Sequence, residues 1–162
     1  MRRALRPTTG FLVVALAVVL GACAGSDPGA PTGQAPSAMP MGSAEAMTVY
    51  VDGGGTYTSV PPRQLATMLE AEDVVLVNVH VPYEGEIEGT DAFIPYDQVA
   101  SRLAELPADR TARVVLYCRS GRMSTIAAQT LVGLGFTNLV ELDGGFEAWR
   151  SAGYELVERP QG

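Results

Sequence analysis

Arg113-Val-Val-Leu-Tyr-Cys118-Arg-Ser-Gly-Arg-Met-Ser124 is the stretch of sequence that decides the fold. Its first half is an unbroken apolar run, which is typical of a strand covered on both faces of a parallel sheet. From Ser124 onward the apolar residues have helical spacing. Cys118 is therefore predicted at a strand-to-helix turn. Backbone N–H groups and the positive end of a helix dipole meet at such a turn, where they stabilise anions.

The thiol of Cys118 is predicted to be a nucleophile. A cysteine at a helix N-terminus beside cations ionises more readily than a free one, and the thiolate is the reactive form. Arg119 and Arg122 supply the cations. A small buried hydrophobe is the alternative interpretation of a lone cysteine. A strand end followed by Arg and Gly is a poor place for such inert packing.

The whole pattern predicts one α/β domain with a mainly parallel central sheet and helices on both of its faces. Strands are predicted at residues 56–60, 74–79 and 113–117, and helices at about 62–71, 97–106 and 124–134. Ser59 is a possible cap of the first helix, and Pro107 stops the second. Gly135 suits the C-terminal turn of the third.

Three motifs resemble the rhodanese family of sulfurtransferases. Residues 118–124 resemble its active-site loop. Leu134-Gly-Phe136 and the later run Asn138-Leu-Val-Glu-Leu-Asp-Gly-Gly-Phe-Glu-Ala-Trp149 resemble its closing signature, and residues 74–96 resemble its first half. The resemblance covers roughly residues 57 to 158, about one domain. It implies a single rhodanese-like domain, since no internal repeat suggests the tandem form.

The resemblance also implies a sulfur relay in which Cys118 takes a sulfane sulfur, becomes a persulfide and passes that sulfur to a nucleophilic acceptor. No metal or organic cofactor is expected. The implied partner is a small sulfur-containing anion or a protein-borne sulfane sulfur. The residues expected to bind it are Arg119 and Arg122 as anion clamps, with the backbone of Ser120, Gly121, Arg122, Met123 and Ser124 as a cradle. Each arginine is alternatively a solvent-facing charge, and Met123 lines the pocket or packs against the sheet.

Two segments depart from the family pattern. Asn78-Val79-His80 stands where Asp-Val-Arg is usual, at a strand end expected on the same sheet edge as Cys118. His80 is predicted either to contact substrate or adjust the thiol's proton affinity, or to be a partly exposed residue bonded to the next loop. Glu86-Ile-Glu-Gly89 replaces the usual His-Ile-x-Gly, within the acidic group Glu84, Glu86, Glu88 and Asp91. These carboxylates form a solvated loop or rim the pocket, where they would disfavour a dianion such as thiosulfate.

The N-terminal residues predict export. Arg2, Arg3 and Arg6 precede an apolar stretch over residues 11–20, which indicates a secretory signal peptide over residues 1–22. Leu20-Gly-Ala-Cys23 resembles a bacterial lipoprotein processing site, and Cys23 is then the lipidated first residue. An ordinary cleaved signal with an incidental cysteine is the alternative. Residues 23–47 are rich in Gly, Ala, Pro and Ser, which predicts a flexible tether before a domain at 48–162.

Charge excludes some partners. The chain has 18 acidic residues against 11 basic ones, all of them Arg, and a net charge of −7. Nucleic acid is therefore not an expected partner, and acyl chains on Cys23 are the expected link to a membrane. The protein is expected in the cell envelope, outside the cytoplasm.

Two other functions are alternatives for this sequence. A cysteine-dependent phosphatase or arsenate reductase has a similar thiol, but its Cys-x5-Arg loop requires an arginine where this chain has Ser124. A tethered persulfide carrier or anion sensor without turnover would need only the cradle.

Overall fold

The structure is a computed structural model, and it describes residues 45–159. The predicted signal peptide, Cys23 and most of the tether lie outside these residues. The elements in chain order are β1 (Met47–Tyr50), β2 (Thr56–Val60), α1 (Pro62–Ala71), β3 (Val75–Asn78), β4 (Ala92–Phe93), a 3-10 turn (Leu103–Glu105), β5 (Val114–Tyr117), α2 (Arg122–Gly133), β6 (Leu139–Leu142) and α3 (Gly145–Ser151). No helix within this part of the chain is long and apolar enough to cross a membrane.

The strands form one sheet in the order β1-β2-β6-β5-β3-β4. Only the pair β1–β2 is antiparallel, so the predicted mainly parallel sheet is confirmed. β5 lies between β3 and β6, and its Val115 pairs with Leu76 on one side and Val140 on the other. The C-terminal ends of these three strands meet at one edge of the sheet. Parallel α/β sheets place their ligands at that edge.

Side chains alternate between two cores across β5. Val114, Leu116 and Cys118 pack with α2 on one face, through Ala127 and Leu131 among others. Val115 and Tyr117 pack on the other face, where the partners include Leu65 of α1 and Phe146 and Trp149 of α3. Burial on both faces explains the continuous apolar run of the strand. The predicted helices on both faces are confirmed.

The helix predicted over 97–106 is wrong. Residues 97–101 form turns, and only Leu103–Glu105 is helical, as a 3-10 turn. Its bonds run from Glu105 N–H to Arg102 O and from Leu106 N–H to Leu103 O, the short spacing of a 3-10 helix. Ser101 Oγ also donates to Gln98 O at 3.0 Å, a local bond that competes with helical pairing.

The cap predicted at Ser59 is also wrong. Pro61 occupies the N-cap position of α1 without a side-chain bond, and Ser59 remains in strand β2. Its Oγ donates to Glu141 Oε2 of β6 at 2.9 Å. Gly135 does take the left-handed conformation expected at the end of α2, with φ of 90°.

Candidate active site

Cys118 lies immediately after the central strand β5 and is 1% exposed. Helix α2 begins at Arg122, so the thiol and the N-terminal turn of a helix are brought together as predicted. The chain reverses at Gly121, whose φ of 90° is a conformation that side-chain-bearing residues rarely adopt. The local sequence therefore produces a tight loop under the thiol.

The amide groups of this loop are available to a ligand. Within residues 45–159, no backbone N–H of residues 119–124 donates a hydrogen bond to a protein acceptor. Successive free N–H groups at a helix start form a binding place for an anion. We call residues 119–124 the cradle.

Helix α3 holds the carbonyl groups of the same loop. Phe146 N–H donates to Cys118 O at 2.9 Å, and Glu147 N–H donates to Arg119 O at 3.0 Å. This contact requires glycine at position 145, where a Cβ would lie 2.3 Å from Cys118 O. The double glycine of the predicted closing signature therefore braces the cradle.

Ser124 and Glu141 lie beneath the thiol. The Sγ of Cys118 is 3.5 Å from Ser124 Oγ, which in turn is 2.7 Å from Glu141 Oε1 and 2.9 Å from Gly121 O. Glu141 is 4% exposed. Burial raises its pKa to about 7, against the opposing effect of hydrogen bonds from Ser124 and Ser59.

Sequence reasoning missed Glu141. The available signal was a carboxylate inside the apolar run Leu139–Leu142, which the structure shows as the buried strand β6. A charged residue in such a run is rarely fully buried without a partner. Its partner came from α2, a contact that no local pattern specifies.

Arg119 is at the rim of the cradle. Its guanidinium is bound by two carboxylates, Glu147 Oε1 at 2.7 Å from Nε and Glu84 Oε2 at 3.5 Å from Nη1. The hydrogen bond to Glu147 raises the pKa of Arg119. The positive charge is thus largely compensated before any ligand arrives.

Arg122 and Met123 occupy the first turn of α2. The exposed guanidinium of Arg122 makes no ion pair or hydrogen bond with any residue in the range 45–159. Met123 is half-buried and packs against the core that contains Cys118. Of the two predicted clamps, Arg122 is the one left uncompensated within the described chain.

His80 is buried, at 5% exposure, which corrects the expected partial exposure. Its Nε2 is 3.1 Å from Glu84 Oε2, so it does bond the next loop as one alternative predicted. Its ring also meets Phe146 edge-on at 5.3 Å. Because Glu84 also binds Arg119, the carboxylate links His80 to the rim of the cradle rather than to the thiol.

Asn78 fixes the loop that carries His80. Its Oδ1 accepts from His80 N–H at 3.0 Å, and its Nδ2 donates to Gly85 O at 3.1 Å. Both ends of this buried amide are therefore satisfied without the ion pair that an aspartate would form with an arginine.

The acidic group does not behave as one solvated loop. Glu86 is 7% exposed and pairs with Arg159 at 3.0 Å, so the solvated-loop interpretation is wrong for it. Asp91 accepts from Leu76 N–H at 2.8 Å, and Glu84 lies at the cradle rim. No group of three or more potential metal ligands occurs among the described residues.

The site of this α/β domain is a buried thiol at a parallel strand end, beside free loop amides and braced by a second helix. The rhodanese-like domain model matches residues 61–152, and the chain belongs to this family.

The relatives share this domain. A sulfurtransferase of Allochromatium vinosum is 37% identical over 99 residues, which are 59% of this chain and 88% of that protein. Thiosulfate sulfurtransferase GlpE of Pseudoalteromonas translucida is 35% identical over 99 residues, 59% of this chain and 91% of GlpE. A rhodanese-related protein of Thermoplasma volcanium superposes with a TM-score of 0.53 at 26% identity, covering 61% of this chain and 96% of that one. Some relatives are longer, and the matched region is 58% of the Synechocystis protein slr1261.

Proposed function

We propose that the protein is a sulfurtransferase that carries sulfane sulfur as a persulfide on Cys118. The observation that carries the proposal is the buried thiol beside the free amides of residues 119–124. The Cys118 thiolate attacks the outer sulfur of a donor, a new S–S bond forms, and the donor's own bond to that sulfur breaks with the electron pair leaving on the donor. A nucleophilic acceptor then removes the outer sulfur and restores the thiolate.

The charges around Arg119 at the cradle rim favour one class of sulfur donor. Arg119 is compensated by Glu84 and Glu147, so of the two arginines at the cradle only Arg122 offers an uncompensated charge to a small dianion. A protein-borne persulfide or a polysulfide is the donor we propose, with thiosulfate a poorer one. The cradle amides and Arg122 then bind the charge that leaves on the donor.

Intact mass spectrometry of the full-length chain in a Cys23→Ser background, where Cys118 is the one remaining thiol, tests the chemistry. Polysulfide is expected to add the mass of about one sulfur atom, and cyanide is expected to remove it as thiocyanate. Cys118→Ser, which differs by one atom in a buried position, is the matched control and should gain no sulfur while unfolding at nearly the same urea concentration. Sulfur uptake by the serine variant would refute the role of Cys118.

A persulfide carrier without turnover is the second candidate. It is favoured by the same compensation of Arg119, which leaves fewer charges to activate a leaving group. The two candidates differ in the yield of thiocyanate per protein. Many equivalents under excess donor and cyanide indicate an enzyme, and about one equivalent indicates a carrier.

We also propose that the protein works outside the cytoplasm, attached to a membrane through lipidated Cys23. The support is the sequence of residues 1–23 and the Gly-, Ala-, Pro- and Ser-rich composition that follows. Cell fractionation of Cys23→Ser should move the protein from the membrane to the soluble fraction. Membrane association that persists in this variant contradicts the anchor.

A further inference from the structure

A continuous line of polar side chains runs from the thiol into the protein. Cys118 Sγ, Ser124 Oγ, the carboxyl group of Glu141 and Ser59 Oγ follow one another at 3.5, 2.7 and 2.9 Å. They come from the end of β5, from α2, from β6 and from β2. All these side chains are buried, with Ser59 the most exposed at 9%.

The hydroxyl of Ser124 has one hydrogen and three acceptors within reach. These are Glu141 Oε1, Gly121 O and Cys118 Sγ. A serine hydroxyl donates one hydrogen bond, so it cannot serve an ionised carboxylate and a thiolate together. Two anions this close in a buried site also repel each other strongly. The geometry therefore favours one negative charge shared by two groups.

We propose that Glu141 holds the proton that the Cys118 thiol gives up, with Ser124 as the relay. The thiol hydrogen moves to Ser124 Oγ while the hydrogen of Ser124 moves to Glu141 Oε1. A thiol and a carboxylate become a thiolate and a carboxylic acid, with no change in atoms or total charge. Ser124 then donates to the thiolate and accepts from the new carboxylic acid. Glu141 acts through Ser124, so it is a positioning residue; its role in sulfur transfer rests on the function proposed above.

The surroundings of Glu141 suit this role. Ser59 and Ser124 face it as neutral donors from β2 and α2, Cys118 lies beyond Ser124, and Asp143 adds a nearby negative charge. Burial, followed by that charge, raises the pKa of Glu141 to about 7. Protonated and ionised forms are both populated near neutral pH, as an efficient proton acceptor requires.

The test measures the pH dependence of alkylation of Cys118 by iodoacetamide. The full-length chain is used in a Cys23→Ser background, so that one thiol remains. Two titratable groups that interact lose their protons in two steps, and each step reflects both groups. With Glu at position 141, the alkylation rate should therefore rise with pH in two steps. Glu141→Gln keeps a donor to Ser124 but never ionises. It should give one step and react about 3- to 10-fold faster near pH 7.5.

Two further measurements separate the relay from a structural role. Ser124→Ala should keep two steps, because Glu141 and Cys118 still repel each other when both are ionised. Unlike Glu141→Gln, it should lower the maximal rate, because the thiolate loses its donor. The infrared C=O band of protonated Glu141 should disappear at lower pH in Cys118→Ser than with the thiol present. That measurement also decides the matter if Glu141→Gln does not fold.

Identical profiles for Glu and Gln at position 141, or a carboxyl band unaffected by loss of the thiol, overturn the proposal. Alkylation does not require sulfur transfer, so the two proposals fail separately. If Glu141 and Cys118 titrate as a coupled pair but no persulfide forms, the proposed function alone is refuted. If the persulfide forms but Glu141 and Cys118 titrate independently, the relay alone is refuted.

Discussion

Gly145→Ala should push the cradle away from helix α3. The new Cβ would lie 2.3 Å from Cys118 O and 2.6 Å from both Arg119 C and Arg119 O, all of them backbone atoms that cannot rotate away. The position also has φ of 60°, which costs a side-chain-bearing residue about 1–2 kcal/mol. Relieving the overlap costs about 1–3 kcal/mol more. The free energy of unfolding should therefore fall by about 2–5 kcal/mol.

Gly153→Ala is the matched control. Gly153 has φ of 94°, but nothing lies within 4 Å of the place that a Cβ would take, so this variant carries the conformational cost without the overlap. Urea unfolding gives the stability of both variants, and mass spectrometry gives the rate of persulfide formation under native conditions. Persulfide formation should slow only in Gly145→Ala, because α3 can no longer hold the carbonyls of Cys118 and Arg119. Equal stability losses and equal rates in the two variants would refute the brace.

Three other tests concern carboxylates that are buried or lie at the rim of the cradle. Arg159→Met leaves the buried Glu86 without its cation and should lower the free energy of unfolding in urea by about 1–3 kcal/mol. Adding Glu86→Gln should restore part of this loss. A double variant that recovers no stability would contradict the pairing. Burial raises the pKa of Glu141 to about 7 from 4.5, so the native state binds an extra proton between these values. The contribution of Glu141 to the free energy of unfolding is therefore largest below about pH 4.5 and falls by about 3 kcal/mol between about pH 4.5 and 7. Urea midpoints should show this slope, and Glu141→Gln should flatten it. The double variant Glu84→Gln and Glu147→Gln leaves the charge of Arg119 uncompensated and should raise kcat/KM for thiosulfate about 3- to 10-fold at low salt. A gain that persists at high salt would argue against an electrostatic cause.

The sequence predicted the parts of the site that local rules determine. The apolar run of β5, the glycine turn and the start of α2 are contiguous, so propensity and periodicity were enough to place Cys118 at the N-terminus of a helix. The mainly parallel sheet followed from two continuous apolar strands separated by helical patterns.

The missed features depend on contacts between distant segments. Glu141 is buried because its side chain alternates onto the α2 face of the sheet, which requires knowing that β6 pairs with β5. Arg119 was expected as an anion clamp or a solvent-facing charge, and its ion pairs with Glu84 and Glu147 were not foreseen because these residues come from two other parts of the chain. The helix predicted over 97–106 was wrong for a local reason. Hydrogen bonds of short turns formed there in place of the helix that the sequence pattern suggested.

The bonds from α3 to the cradle set an order in which the protein acquires its chemistry. The loop is encoded within a few residues of Cys118, yet the helix that shapes it includes Glu147, which lies 28 residues after Arg119. During synthesis the cysteine therefore emerges well before the helix that completes its surroundings. A chain that ends ahead of α3 lacks the N–H groups of Phe146 and Glu147 that bind the carbonyls of Cys118 and Arg119, so the surroundings of the thiol are complete only in the finished domain.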